Sequence, residues 1–191
     1  MFWYSDLVYP RTRAVITGEH TYIRGAELDD VPTLAVLYRA GTLRAGLLDS
    51  RREPVLPTRD ELGELLSRKE IADGGYYTGE DRTGAIQGFC SLRGMNPEAR
   101  YAEFSLVLLD PEAYATPIAA EAAAFLFERA FTRGGLRKVI AYCLEGESEL
   151  ADFLRNQGFV SAGFQRDVVY AGGRWLGLEA YSRSNGPREA A

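Results

Sequence analysis

Apolar positions change period several times along the chain, and each change marks an element. Val31, Leu34, Ala35, Leu37 and Tyr38 recur at the three-and-four spacing of an amphipathic helix. The run Glu27-Leu-Asp-Asp-Val-Pro32 ahead of them offers acidic capping residues and a proline suited to a first helical turn. A helix is therefore predicted to about Arg44, after a first strand over residues 20–24. Gly46 and the Pro54/Pro57 pair mark a loop, and a second helix follows over residues 58–69. From Gly75 the period falls to two: Tyr76 to Thr78, a polar turn through Asp81 and Gly84, then residues 85–92, which together read as a hairpin. Next come a strand over 101–109 and an alanine-rich helix over 118–133 that Gly134-Gly135 ends. A strand over 138–144, a helix over 148–157, and two long strands over 159–170 and 174–182 complete the order.

Strand, two helices, three strands, helix, strand, helix and two strands predict a mixed α/β sheet, of the α+β kind, with about seven strands and four helices. A chain of 191 residues is long enough for one well-buried core. One domain is expected over 18–183, preceded by an aromatic arm over 1–17 and followed by a frayed tail over 184–191.

Composition narrows the function classes. Hydrophobic residues at 46% and charged residues at 26% are ordinary globular values. A net charge of -5 weighs against a nucleic-acid partner. No apolar run reaches the roughly 18 residues of a spanning helix, and the first residues lack the basic-then-apolar order of a signal peptide, so the expectation is a cytoplasmic protein with no membrane partner. Cys90 and Cys143 lie in separate apolar runs, which suits buried thiols, and no metal-ligand cluster is present.

The stretch 109–131 carries the most chemistry. An apolar strand ends, a short loop turns and a helix begins, leaving unpaired N–H groups that suit an anion. The single histidine, His20, reads as an exposed bystander, and no nucleophile-histidine pattern is present.

Taken together, several short runs resemble the GNAT superfamily of N-acyltransferases, in its RimJ/RimL-like branch. They are Tyr22-Ile-Arg24 with Asp29-Asp30, Ala102-Glu-Phe-Ser105, Glu121-Ala122, Leu136-Arg-Lys-Val139, Gly158-Phe159, Gly163-Phe-Gln-Arg166 and Gly172-Gly-Arg-Trp-Leu176. The resemblance implies a sheet splayed between the fourth and fifth strands, a pantetheine thioester lying in that opening, and acyl transfer to an amine by direct attack. A strand edge exposed by a splay can pair with the amides of pantetheine. The donor arm is then expected along Leu106, Val107, Leu108 and Leu109, with an oxyanion met by an N–H near Val107 or Leu108. Tyr114, Thr116, Ile118, Ala119 and Ala120 would form the pyrophosphate end. Glu103 is the candidate base, with Glu145 and Glu147 next, and Tyr142 is the candidate acid beside Cys143, whose side chain alternates with it so that only one of the two can face the opening.

Against the family pattern, Pro117 and Ala119 stand where glycines usually wrap the pyrophosphate, and Leu154 stands where a tyrosine often protonates the leaving thiolate. No cofactor is expected to be tightly bound. The co-substrate is acyl-CoA, or an acyl-phosphopantetheine on an acyl carrier protein in a biosynthetic pathway, which brings no pyrophosphate to cradle. The acceptor is a small-molecule or peptide amine. Arg44, Arg51 and Arg52 beside Asp49 lie where the family places its acceptor helices and read more simply as a solvated charged face. A homodimer is compatible with the final hairpin and the aromatic arm. A different class stays open: a catalytically degenerate domain that binds a ligand or partner.

Overall fold

The computed structural model describes residues 14–39, 44–47, 58–67, 75–171 and 173–186. Within them the chain forms β1 (Ala14–Thr17), β2 (Thr21–Gly25), α1 (Val31–Arg39), α2 (Arg59–Ser67), β3 (Tyr76–Asp81), β4 (Ile86–Asn96), β5 (Tyr101–Leu108), α3 (Pro117–Phe127), β6 (Lys138–Leu144), α4 (Ser148–Asn156), β7 (Val160–Ala171) and β8 (Arg174–Ser184). Short 3-10 turns occupy Leu28–Asp30, Ala45–Leu47 and Pro111–Ala115. The expected mixed sheet is present, with one strand more than expected: Ala14–Thr17, placed at sequence level in an arm, pairs antiparallel with β2. Residues 1–13 of that arm, and 187–191 of the expected tail, lie outside the described residues.

The strands lie in the order β1-β2-β3-β4-β5-β6-β8-β7. Every neighbouring pair is antiparallel except β5 and β6, which run parallel because α3 carries the chain back across one face between them. Side chains alternate between two cores. Leu92, Phe104, Leu106 and Val139 pack beneath α3 and α4, with Phe125, Leu126, Phe153 and Leu154 opposite them. Phe89 and Val107 face the other way, onto Val31, Leu34 and Leu37 of α1 and Leu62 of α2. A third cluster of Leu144, Val169, Leu176 and Leu178 lies at the β6–β8 end and includes Ala45.

The entry to α1 is fixed electrostatically. Arg24 of β2 donates to both oxygens of Asp30, at 2.8 and 2.7 Å, and to Glu80 of β3 at 2.8 Å. Thr78 and the Glu27 amide donate to the same Asp30 oxygen at 2.8 and 2.9 Å. Burial pushes the Asp30 carboxyl up, but Arg24, the Glu27 amide and Thr78 outweigh it and hold the group below the usual carboxylate range.

α1 is described to Arg39, residues 40–43 lie outside the described residues, and Arg44 is non-helical. The alanine-rich helix gives way at Glu128 to a wider π-type turn, Glu128–Arg133. That turn accompanies a stack of Phe127 on Phe131 at 5.9 Å and on Phe104 at 5.4 Å.

Candidate active site

Pairing between β5 and β6 covers three residue pairs only: Tyr101 with Lys138, Ala102 with Val139, and Glu103 with Ile140. β6 then continues along β8 to Leu144, whereas β5 continues along β4 to Leu108. The sheet therefore opens between them, at the expected place. A cleft of about 270 Å³, open to solvent, occupies the opening and is lined by Glu103, Ser105, Leu106, Tyr142 and Leu154 with Ala45 and Gly46. Glu103 and Tyr142, the two candidate catalytic residues, are thus brought to one cavity from opposite strands. Cys143 alternates into the core under α4, where burial pushes its thiol well above the usual range. Cys90 is buried and pushed up to about 12 for the same reason.

Glu103 is held by Arg93 of β4, directly across the ladder, through its Oε1 atom. Their side chains are 33% and 22% exposed, so the pair sits at a rim. Glu103 Oε2 has no hydrogen-bond partner among the described residues.

Backbone polarity along β5 alternates. Leu106 and Leu108 turn their carbonyls into the opening, where the Tyr114 hydroxyl donates to Leu106 at 2.8 Å and Arg44 donates to Leu108 and, at 3.2 Å, to Leu109. Leu109 turns its amide the other way, onto Gln87 at 2.8 Å, and by the same alternation Val107 faces β4. Of the two residues considered for the oxyanion, Leu108 turns its amide away from β4, toward the Tyr114 hydroxyl.

The turn Ala45–Leu47 bridges the mouth. Glu147, after β6, accepts the Leu144 amide at 2.7 Å and the Ala45 amide at 3.0 Å. Burial pushes the Glu147 carboxyl above its usual range, with the two amides and Arg44 opposing. Gly46 lies so close to β5 that a Cβ there would meet Val107 Cγ2 at 2.3 Å. Ser105 Oγ donates to the Gly46 carbonyl at 3.4 Å.

At the far end, Asp110 caps the Pro111–Ala115 turn through the Glu112 amide at 2.9 Å. Tyr114 packs its ring on Phe153 of α4 while its hydroxyl bonds Leu106, and burial with the Glu147 charge pushes that hydroxyl far up. Thr116 precedes α3 without capping it by its side chain, so the amides of Ile118, Ala119 and Ala120 carry the helix dipole's positive end. The Ala119 side chain is fully buried and leaves only its backbone for a ligand. Glu121 accepts the His20 and Thr21 amides at 3.0 and 2.9 Å, which fastens the β1–β2 turn to α3. The His20 ring joins it at 2.9 Å.

A second cavity, about 430 Å³, lies between α1, α2 and β3–β5, lined by Leu34, Tyr38, Leu66, Phe89, Arg93 and Val107 among others. Gly46 and Ser105 border both cavities, so the groove and the cleft are neighbours across one thin wall.

Sequence reasoning missed Arg44 and Arg93. Arg44, expected on a solvated charged face, is 7% exposed and held by the Leu108 and Leu109 carbonyls. Its partners are backbone atoms some 64 residues away, which no local pattern signals. Arg51, Arg52 and Asp49 lie outside the described residues. Arg93 was legible in principle, since a hairpin register through Leu92 and Phe104 sets it opposite Glu103.

A mixed sheet whose lone parallel pair opens over a carboxylate is the architecture of an N-acyltransferase. The Acetyltransferase (GNAT) domain family matches residues 20–160, and the chain belongs to that family. Among solved structures, a probable acetyltransferase superposes with a TM-score of 0.73 at 22% identity, over 90% of this chain and 96% of the other. The spermidine N-acetyltransferase from Vibrio cholerae, in complex with CoA and spermine, gives a TM-score of 0.73 at 20% identity, over 87% and 96% of the two chains. A dodecameric form of the Vibrio cholerae enzyme gives 0.69 at 21% identity, over 87% and 95%. No curated protein matches by sequence. No helix among the described residues is long and apolar enough to cross a membrane.

Proposed function

We propose that this chain is an N-acyltransferase of the RimJ/RimL-like branch that moves an acyl group, acetyl first among candidates, from acyl-CoA to the amine of a small molecule. The observation that carries this reading is the placement of Glu103 at the last β5–β6 pair, where the strands part and Tyr142 joins it in the cleft. The neutral amine attacks the thioester carbon, a C–N bond forms and the C–S bond breaks. Glu103 takes the proton the amine sheds, through water or directly. The oxyanion meets the Leu108 amide, and Tyr142 returns a proton to the departing thiolate. Pantetheine amides would take the places now held by Tyr114 and Arg44 on the β5 edge, and the pyrophosphate would meet the α3 amides of Ile118, Ala119 and Ala120.

One observation favours a second reading, a binding module without turnover: Leu106 and Leu108 already have internal hydrogen-bond partners. Pro117 and Ala119 keep a phosphopantetheine thioester on a carrier protein as the alternative donor. Calorimetry with acetyl-CoA, followed by thiol release with mixed amines, separates the readings. Binding with thiol release supports the transferase. Binding without release to any amine, from CoA or carrier thioesters, supports the module.

A further inference from the structure

The groove beside the cleft has a marked chemistry. Phe89 and Val107 form its floor, and Leu34, Tyr38 and Leu66 its walls. Among its described lining residues the only charged side chain is Arg93, and Arg93 is paired with Glu103. Among the described residues lining the cleft, Glu103 is the only charged one. The two cavities together therefore present one carboxylate, with one of its oxygens, Oε2, unbonded among the described residues. The groove is open to solvent, and its described lining is mainly apolar and aromatic.

Resting on the transferase reading above, we infer that the acceptor is a primary amine with a single positive charge on an aromatic or branched hydrocarbon body. The body lies in the groove against Phe89 and Val107, and the nitrogen is directed at Glu103, the partner of the groove's Arg93. A polyamine, the ligand in one structural neighbour, fits poorly here. Its first ammonium finds Glu103, but each further one faces Leu34, Leu66 or Val107 and loses its hydration with no second carboxylate among the described lining residues.

The test compares 2-phenylethylamine with spermidine at saturating acetyl-CoA, reading thiol release and the acetylated product by mass spectrometry. The variants are Leu66→Glu, at a half-buried position on α2, and Leu66→Met as its conservative control. The expected result is a kcat/KM for 2-phenylethylamine at least about tenfold above that for spermidine. Leu66→Glu narrows or reverses the ratio by raising KM for the aromatic amine, and Leu66→Met preserves it. A ratio at or below one in the wild type, or a ratio unmoved by Leu66→Glu, overturns the inference and leaves the transferase reading intact. Calorimetry on the same samples separates the failures. Acetyl-CoA bound but 2-phenylethylamine unacetylated overturns the acceptor class, whereas no acetyl-CoA binding overturns the transferase reading itself.

Discussion

Glu103 and Ile140 form the last rung between β5 and β6, and the sheet opens immediately beyond them. The strand break thus sets a carboxylate at the inner end of the opening, facing Tyr142 across it. Glu103→Gln keeps the size of the side chain and an acceptor oxygen for Arg93. It is expected to lower kcat by about 100-fold with little change in acetyl-CoA affinity, as removal of a general base does. Steady-state kinetics beside calorimetry check this, and an unchanged kcat would assign the base elsewhere.

Arg44 donates to the Leu108 carbonyl, which the proposed donor path assigns to a pantetheine amide. Arg44→Ala is expected to destabilise the protein by about 2 kcal/mol, since buried carbonyls lose a charged donor. The same variant is expected to bind acetyl-CoA roughly fivefold more tightly, about 1 kcal/mol, because one internal bond no longer has to break. Urea unfolding and calorimetry give the two numbers. Weaker binding would mean that Arg44 helps the donor.

Gly46 has no room for a side chain against Val107. Gly46→Ala forces the Ala45–Leu47 turn off β5 and is expected to cost about 1–3 kcal/mol, as overpacking generally does. Because this turn walls both cavities, KM for donor and acceptor should change together. A change confined to one of them would show that the wall is not shared.

Asp30 makes stability depend on acid. Its folded carboxyl lies below the unfolded value, so its contribution is complete at neutral pH and is lost as pH falls through the lowered folded value. Asp30→Asn leaves Arg24 without its main partner and is expected to cost about 3 kcal/mol at pH 7. The gap to wild type should shrink in acid, where the native residue is protonated as well. Urea unfolding at neutral and acidic pH measures both, and a gap independent of pH would assign the loss to packing.

Much of the fold was legible because periodicity reports which face is buried. The apolar run ending at Leu109 placed β5, and the run from Val31 to Tyr38 placed α1. β1 escaped because four residues, Ala14–Thr17, are too few to show a period and owe their place to pairing with β2. The opening itself was expected from resemblance, not from any local signal, since a lost ladder leaves no mark on side-chain alternation. What fills its edge was invisible: Arg44 and Glu147 meet partners set by tertiary contact, and charge alone pointed Arg44 toward solvent. Glu103 was readable as a strand carboxylate, but its Arg93 partner required the β4–β5 register.

The most direct measurement of the central claim is mass spectrometry of an amine mixture incubated with acetyl-CoA and either the wild-type chain or Glu103→Gln. The account predicts an acetylated amine formed by the wild type and strongly reduced in the variant. Equal product from the two would contradict the role of Glu103, and no product from the wild type with any amine would contradict acyl transfer at the β5–β6 opening.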